Sequence, residues 1–306
     1  IFLQRQTIPS TAGFIQVPFA NYGEASNQGV DLSLAFNKQL GKDWTIMLQG
    51  TFTYAQSKIR EMDEPLSVVG TNRARTGHRI NQLFGLVDDG LFTEDDFKAD
   101  GSLKEGLPRH TFGPVRPGDI KYKDLNDDGV VDSFDETAIG GTIDPQLVYG
   151  FGATVKYRQF DLGFFFQGNG ETYRVIGAGK NAFIPGSGDG WGAIYSNYND
   201  RWTPENPSQN VFWPRLSRME NKNNAQSSTW WLRNMSMLRL KNIEVGYSFS
   251  KKTLLPNFIQ SARIFIAGSN LLQFSKFKMW DPELDTPNGQ CYPITKSVSL
   301  GLNVSF

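Results

Sequence analysis

The last ten residues of the chain alternate strictly between apolar and polar side chains. The apolar positions of this segment are Val298, Leu300, Leu302, Val304 and Phe306. Because successive side chains of a strand point to opposite faces, the alternation predicts a β-strand with one apolar and one polar face. About ten residues is also the length of a tilted strand that crosses a bilayer, so the pattern favours a transmembrane β-strand.

Earlier segments of the chain repeat this alternation and predict further strands. Their ranges are 30–36, 44–54, 147–157, 160–166 and 243–249. Residues 262–272 predict one more strand, although the pattern does not settle which side chains share a face. Leu238 and Leu240 are out of phase with Ile243, which predicts a β-bulge near Asn242. We expect about seven or eight strands in total.

The predicted connections alternate between short and very long. The short ones are 38–43, 158–159 and 250–261, and the long ones are 55–146, 168–229 and 273–293. Long structureless loops are unusual in a compact soluble domain. In outer-membrane barrels, by contrast, short periplasmic turns alternate with long extracellular loops. The sequence therefore predicts an all-β fold, an antiparallel transmembrane β-barrel with long extracellular loops.

Aromatic residues at the predicted strand ends agree with this interpretation. Trp44, Tyr54, Tyr157 and Tyr247 lie where an aromatic girdle would meet the lipid headgroups. The alternative is a soluble, calcium-stabilised, glycan-binding β-sandwich, because the strands of a sandwich also alternate. Partition of the protein into an aqueous fraction without detergent would favour that alternative.

The composition of the chain argues against several classes of protein. The chain has 31 basic and 31 acidic residues, so no net charge attracts nucleic acid. No apolar run approaches eighteen residues, which argues against a transmembrane helix. The single cysteine, Cys291, cannot form a disulfide within the chain. The first residues contain neither an initiator Met nor a signal-peptide pattern, so we expect the sequence to be part of a longer protein.

Residues 124–135, which read DLNDDGVVDSFD, match the pattern of a calcium-binding loop. The expected ligands are Asp124, Asn126, Asp128, the backbone carbonyl of Val130, Asp132 and Asp135. Calcium takes six to eight hard oxygen ligands, and this spacing places such groups around one point. The alternative is an ordinary solvated turn, because Asp, Asn and Gly are common turn residues. The pattern predicts a structural Ca²⁺ site that rigidifies the loop 55–146.

No catalytic motif is found, and the protein is not predicted to be an enzyme. His78 and His110 lack a zincin spacing, and we expect both in surface loops. The long loop 168–229 is instead rich in aromatic residues. We predict as ligand or partner contacts Trp191, Tyr195, Tyr198, Trp202 and Trp213. The alternative is that these rings pack the loop together.

Seven sequence blocks, in the right order, resemble SusC-like TonB-dependent transporters of the outer membrane of Bacteroidetes-type bacteria. The blocks are NYGEASNQGVDL (21–32), GHRINQLFGLVDDGLF (77–92), PGDIKYKDLNDDGVVDSFDETAIG (117–140), DRWTPENP (200–207), WWLRNMSMLRLKNIEVGY (230–247), GSNLLQFSKFKMWDPEL (268–284) and YPITKSVSLGLNVSF (292–306). The resemblance implies that the chain is the C-terminal third of a 22-stranded barrel. The plug, the TonB box and the early strands would lie outside it.

The resemblance also implies a function. Such transporters import oligosaccharides or peptides, are energised by TonB and usually carry a SusD-like surface lipoprotein. The terminal Phe306 would be the barrel-assembly signal, and the apolar strand faces would contact outer-membrane lipid. Two alternatives stay open, namely a stand-alone outer-membrane barrel and a family member with a scaffold role.

Overall fold

A computed structural model describes residues 2–4, 7–8, 10–177, 183–185, 194–249 and 258–306. The chain divides into two compact units. The first, here called the loop unit, comprises Ile1–Ser26, Ser57–Ile143 and Tyr173–Arg233. The second, here called the sheet unit, comprises Asn27–Gln56, Asp144–Thr172 and Asn234–Phe306.

Regular structure in the described residues consists of β-strands and four 3₁₀ helices. The strands are β1 (Phe2–Gln4), β2 (Phe19–Asn21), β3 (Glu24–Leu40), β4 (Trp44–Glu61), β5 (Gln82–Gly85), β6 (Asp88–Leu91), β7 (Arg109–His110), β8 (Ile120–Tyr122), β9 (Val130–Val131), β10 (Thr137–Thr142), β11 (Leu147–Tyr157), β12 (Phe160–Gly170), β13 (Tyr173–Val175), β14 (Leu232–Asn234), β15 (Met237–Phe249), β16 (Ser261–Ser275) and β17 (Ser297–Ser305). The 3₁₀ helices are Ser10–Ala12, Glu94–Asp96, Ser133–Asp135 and Thr229–Trp231. Within the described ranges, no helix is long and apolar enough to cross a membrane.

The sheet unit is built on one seven-stranded sheet with the order β17-β16-β15-β12-β11-β4-β3. The pairings from β4 to β17 are antiparallel. Neighbours in the sheet are also neighbours in the order of these strands along the chain. The predicted all-β antiparallel fold is therefore confirmed.

The register of the sheet aligns the apolar positions of successive strands. One continuous row across it is Leu300, Ile266, Val245, Leu162, Val155 and Ile46. Many side chains of this face are exposed, among them Leu300 at 73% and Ile266 at 56%. A sandwich would bury such a face against a second sheet. The exposure therefore favours the barrel interpretation over the soluble alternative.

The predicted β-bulge is confirmed in β15. Its pairing shifts between Leu240 and Asn242, both against β12 and against β16. Against β12, Lys241 is thus the extra residue, whereas against β16 two residues, Asn270 and Leu271, lie opposite Lys241. Because the bulge adds one residue, Leu240 and Ile243 can face the same side of the sheet although they are three positions apart. Register also settles the facing of β16, where Ile264 and Ile266 share the apolar face with Leu302 and Leu300.

The loop unit contains short strand pairs where the sequence predicted long loops. Strand β5 pairs with β10, β6 with β8, and β7 runs parallel to β9. Strand β4 continues to Glu61, because polar residues on both faces end the alternation without ending the strand. The core of this unit is apolar and aromatic. Its most buried side chains include Trp213, Trp231, Tyr122, Phe92, Phe183, Leu86, Leu91, Ile120 and Ile176.

Candidate functional site

The polar face of the sheet carries a three-strand ion cluster. Arg263 of β16 donates from Nε to Asp161 Oδ1 of β12 at 3.0 Å, and its Nη2 also bonds Asp161 Oδ2. The same Nη2 donates to Glu244 Oε1 of β15 at 2.5 Å. One guanidinium therefore links three adjacent strands. Sequence reasoning missed this cluster, although all three residues occupy polar positions of alternating strands.

A second ion cluster holds the connection between β16 and β17. Arg239 is only 2% exposed, and its Nη2 lies 2.5 and 2.6 Å from the two carboxylate oxygens of Asp281. Arg239 Nε is 3.1 Å from Glu283 Oε2, and Lys241 Nζ donates to Glu283 Oε1 at 2.9 Å. The bulged Lys241 thus shares a carboxylate with Arg239. The two cations tie the connection to β15.

The loop unit is organised around Asp119, which is fully buried. Its carboxylate accepts from Arg215 Nε and Nη2, each at 3.0 Å. It also accepts from the backbone N–H of Arg116 at 2.8 Å and from the side-chain amides of Asn221 and Asn224 at 2.8 and 3.0 Å. A buried carboxylate needs this kind of compensation by charge and hydrogen bonds. The network joins segments about a hundred residues apart, so no local sequence pattern could have found it.

His110 does not lie on the surface, and that prediction is wrong. The ring is buried between Phe92 and Tyr122, with centroid distances of 5.1 and 5.6 Å. Nδ1 lies 2.7 Å from Asn223 Oδ1, so it must donate, while Nε2 is buried without a hydrogen-bond partner in the described structure. Burial lowers the pKa of His110 below its usual value, which keeps the imidazole neutral. The other histidine, His78, is half-buried against Phe84.

The aromatic residues predicted as ligand contacts have different surroundings. Trp213 and Trp202 are buried, at 0% and 5% exposure, and Trp213 lies 5.8 Å from the Tyr195 ring and 5.9 Å from the Trp231 ring. Burial raises the pKa of Tyr195. These positions favour packing of the loop, the alternative considered from sequence. Tyr198 is half-buried under the guanidinium of Arg201, at 4.2 Å, and Trp191 lies outside the described residues.

The segment 124–135 forms a tight acidic loop whose carboxylates and amide accept backbone N–H groups. Asp124 accepts from Gly129 at 2.7 Å, Asn126 from Asp128 at 3.0 Å, and Asp128 from Val130 at 2.8 Å. The φ of Gly129 is 81°, which suits glycine at the turn. Among the described residues, no group of three or more His, Cys, Asp or Glu side chains is arranged to hold a metal ion.

The end of that loop is closed by two further carboxylates. Asp132 caps the 3₁₀ helix Ser133–Asp135, accepting from Phe134 N–H at 2.7 Å. Asp135 is fully buried and accepts from the N–H groups of Leu125 and Asp132, both at 2.8 Å. The loop thus holds oxygen groups in the predicted order, and the metal itself stays a prediction.

Phe306, the predicted barrel-assembly signal, follows β17 directly. Its ring is exposed and stacks on Phe258, with centroids 6.3 Å apart and planes 4° apart. The assembly role stays a prediction.

No protein-family model matches the chain. It is 26% identical, over 98% of its length, to TonB-dependent receptor P26 of Formosa agariphila, of which it spans 31%. It is 22% identical, again over 98% of its length, to TonB-dependent receptor SusC of Bacteroides thetaiotaomicron, of which it spans 28%. The sequence similarity confirms the predicted resemblance to SusC-like TonB-dependent transporters.

The fold gives an independent comparison. A chain in the solved structure of the RagAB peptide transporter superposes with a TM-score of 0.70 at 21% identity, covering 98% of this chain and 31% of that one. A RagAB peptide importer in the closed-closed state gives the same TM-score. The chain therefore has the fold of part of a transporter barrel, and it spans less than a third of these relatives.

Proposed function

We propose that this chain forms part of the wall and outer loops of a SusC-like TonB-dependent transporter that imports oligosaccharides or peptides across the outer membrane. The exposed apolar face of the sheet is the observation that carries the proposal. Lipid is the solvent in which a continuous exposed row such as Leu300, Ile266 and Val245 is stable. The similarity to TonB-dependent receptors along the chain supports the same reading.

In this proposal the two faces of the sheet have different tasks. The apolar face contacts lipid, and the polar face, with Arg263, Asp161 and Glu244, lines the barrel interior. The loop unit is placed at the cell surface, where it contacts ligand and a SusD-like lipoprotein. TonB would act through parts of the protein outside this chain. Transport of this kind needs binding and gating, and it requires no catalytic residue in this chain.

Deletion of the encoding gene, followed by uptake assays, tests the proposal. We expect the deletion to abolish uptake of one class of labelled oligosaccharides or peptides, and depletion of TonB to have the same effect. Affinity purification of the full-length protein from outer membranes should recover a surface lipoprotein. If the parent cells assemble the protein fully in the outer membrane but the deletion leaves uptake unchanged, this result would contradict transport and favour the scaffold role.

We also propose that the segment 124–135 binds Ca²⁺ as a structural clip. Support comes from the tight loop that holds Asp124, Asn126 and Asp128 in successive turns, and from the buried carboxylate of Asp135. Removing Ca²⁺ with a chelator should increase proteolytic cleavage within residues 109–142, and adding Ca²⁺ should reverse it. The variant D128N should lose that response, whereas D95N, at an exposed position outside the loop, should keep it. An equal cleavage rate with and without Ca²⁺ would rule the site out.

A further inference from the structure

One cavity of the loop unit, here called the arginine pocket, has both cationic and apolar side chains in its lining. Its volume is about 470 Å³, and it lies between the turn around Pro114 and the segment that leads from Arg215 to Lys222. The residues on which the argument depends are Phe112, Arg116, Arg215, Arg218, Met219 and Lys222. None of them belongs to the ion clusters of the sheet or to the acidic loop.

The charges of the arginine pocket are unbalanced. Arg215 is paired with buried Asp119, and the remaining carboxylate of the lining is that of Glu220. Arg116, Arg218 and Lys222 are all exposed, and within the described residues none of them has an ion pair. Three cations thus face one carboxylate around a single concavity. Such a lining attracts an anionic ligand.

Asp119 holds several residues of the pocket lining in place. Asp119 accepts from the backbone of Arg116, from the guanidinium of Arg215 and from the amide of Asn221, all of which line the cavity. Arg215 uses Nε and Nη2 for Asp119, so its Nη1 donors stay available. A fixed guanidinium with free donors is well suited to a carboxylate. The pocket therefore has the preorganisation expected of a binding site.

The apolar part of the lining indicates what accompanies the anionic group. Met219 is 78% exposed, and Phe112 and Pro114 complete an apolar lining. Met is flexible and adapts to varied apolar partners. Among the described residues of the lining, the aromatic ring is that of Phe112, and there is neither tryptophan nor tyrosine. An acidic peptide with apolar neighbours fits this combination better than a saccharide does.

We infer that the arginine pocket binds acidic peptides, taking a side-chain or terminal carboxylate on its cations and an adjacent apolar side chain against Met219 and Phe112. The inference rests on the proposed function, since it names the substrate class that the loop unit would receive. It also specifies where selectivity would lie, namely in the cations of the lining, Arg116, Arg215, Arg218 and Lys222.

Binding to the purified full-length protein in detergent tests the inference. The probes are a fluorescent hexapeptide of alternating glutamate and leucine and its glutamine–leucine counterpart. We expect the acidic peptide to bind at least tenfold more tightly, with an affinity that falls as salt is added. The double variant R218A/K222A should lose five- to tenfold in affinity for the acidic peptide only. The control variant K104A/K123A removes two exposed lysines of the loop unit that do not line the pocket, and it should bind like the parent.

Several outcomes would overturn the inference. Equal affinity for the two peptides, or an equal loss in the control variant, would contradict a specific carboxylate site. Tight binding of tetragalacturonate that R218A/K222A abolishes, without peptide binding, would assign the pocket to acidic saccharides. Uptake of the glutamine–leucine peptide by cells that carry R218A/K222A reports transport independently of the pocket. This measurement therefore distinguishes a failure of the pocket proposal from a failure of the transport proposal.

Discussion

Asp119 organises the loop unit, because one buried carboxylate compensates Arg215 and also binds the backbone of Arg116 and the side chains of Asn221 and Asn224. Removing one member of a buried ion pair is more damaging than losing a surface pair, since the remaining charge stays buried without compensation. Arg215 is itself largely buried, so water cannot replace Asp119 well. The effect of a substitution here should therefore be large and local.

The substitution D119N should weaken the loop unit by about 3 kcal/mol, since an amide cannot compensate the guanidinium and directs an NH₂ group at other donors. Hydrogen exchange measured by mass spectrometry on the full-length protein should show faster exchange at Ile120, whose N–H bonds Asn224. D95N, at an exposed position of the same unit, is the control. Unchanged protection in D119N would contradict the role given to this carboxylate.

His110 makes the stability of the loop unit depend on pH. Burial holds its pKa below the usual 6.5, so the folded unit prefers the neutral ring while the unfolded chain takes up a proton near pH 6.5. The stabilisation is complete above about pH 6.5 and is lost as the pH falls from there towards the folded pKa. Protonation would also place an N–H on Nε2, which has no acceptor among the described residues.

Thermal unfolding followed by tryptophan fluorescence between pH 7.5 and 5.5 measures this effect. The parent protein should lose apparent melting temperature below pH 6.5, and H110Q, which can still donate to Asn223, should lose less over the same range. H78Q removes the half-buried histidine and should keep the pH dependence of the parent. A parallel fall of melting temperature in H110Q would assign the dependence to other groups.

At the scale of elements, close strand approach limits which residues the sheet accepts. A Cβ at Gly29 would lie 2.2 Å from the carbonyl oxygen of Tyr54 and 2.8 Å from the Cα of Ala55, which is backbone that cannot move aside. At Gly50 a Cβ would find only the carbonyl oxygen of Gly150, at 3.9 Å. Two glycines in adjacent strands therefore have opposite tolerances.

G29A should impair pairing of β3 with β4 and reduce the amount of assembled barrel, and G50A should assemble normally. The measurement is the heat-modifiable band of the full-length protein in electrophoresis of isolated outer membranes. Comparable assembly of the two variants would show that the β3–β4 approach can relax. Because G29A and G50A make the same chemical change, a difference between them reports position alone.

The elements also show which features local sequence could predict. The alternation of β17 or β11 marks a strand because one face is apolar, and the phase break at Leu240 marks the bulge for the same reason. The extension of β4 to Glu61 escaped prediction, since polar residues on both faces give no period. The burial of Trp213 and His110 escaped because it depends on contacts far apart along the chain. The local sequence pattern predicts which face of a strand is apolar, but it does not predict burial that depends on contacts between distant segments.

At the scale of the whole molecule, the two faces of the sheet should respond differently to charge. Leu300 lies on the exposed apolar face, whereas Ser299, beside it, lies on the polar face opposite Ala267. If the apolar face contacts lipid, an arginine on that face near the bilayer midplane destabilises the folded barrel by about 2–4 kcal/mol. An arginine on the polar face stays hydrated. The two positions are adjacent, so their difference tests the membrane orientation directly.

L300R should therefore lower the amount of full-length protein recovered in the outer-membrane fraction, whereas S299R should be recovered at parent levels. Quantitative immunoblotting of fractionated cells compares the two. Equal recovery would contradict lipid contact at this face. Loss of S299R alone would mean that the polar face, and not the apolar one, is turned towards the bilayer.

The order of the sheet, in which every strand pairs with the strands next to it in sequence, has a consequence for how such proteins diversify. The segment that separates β4 from β11 contains the short pairs β5–β10, β6–β8 and β7–β9 and no strand of the seven-stranded sheet, so it can be replaced without changing the order of that sheet. A recombination event confined to that stretch of the gene would exchange the acidic loop and the arginine pocket's Arg116 wall while leaving the wall of the sheet intact. New ligand specificities could thus arise by exchange of this segment, while the seven-stranded sheet is inherited unchanged.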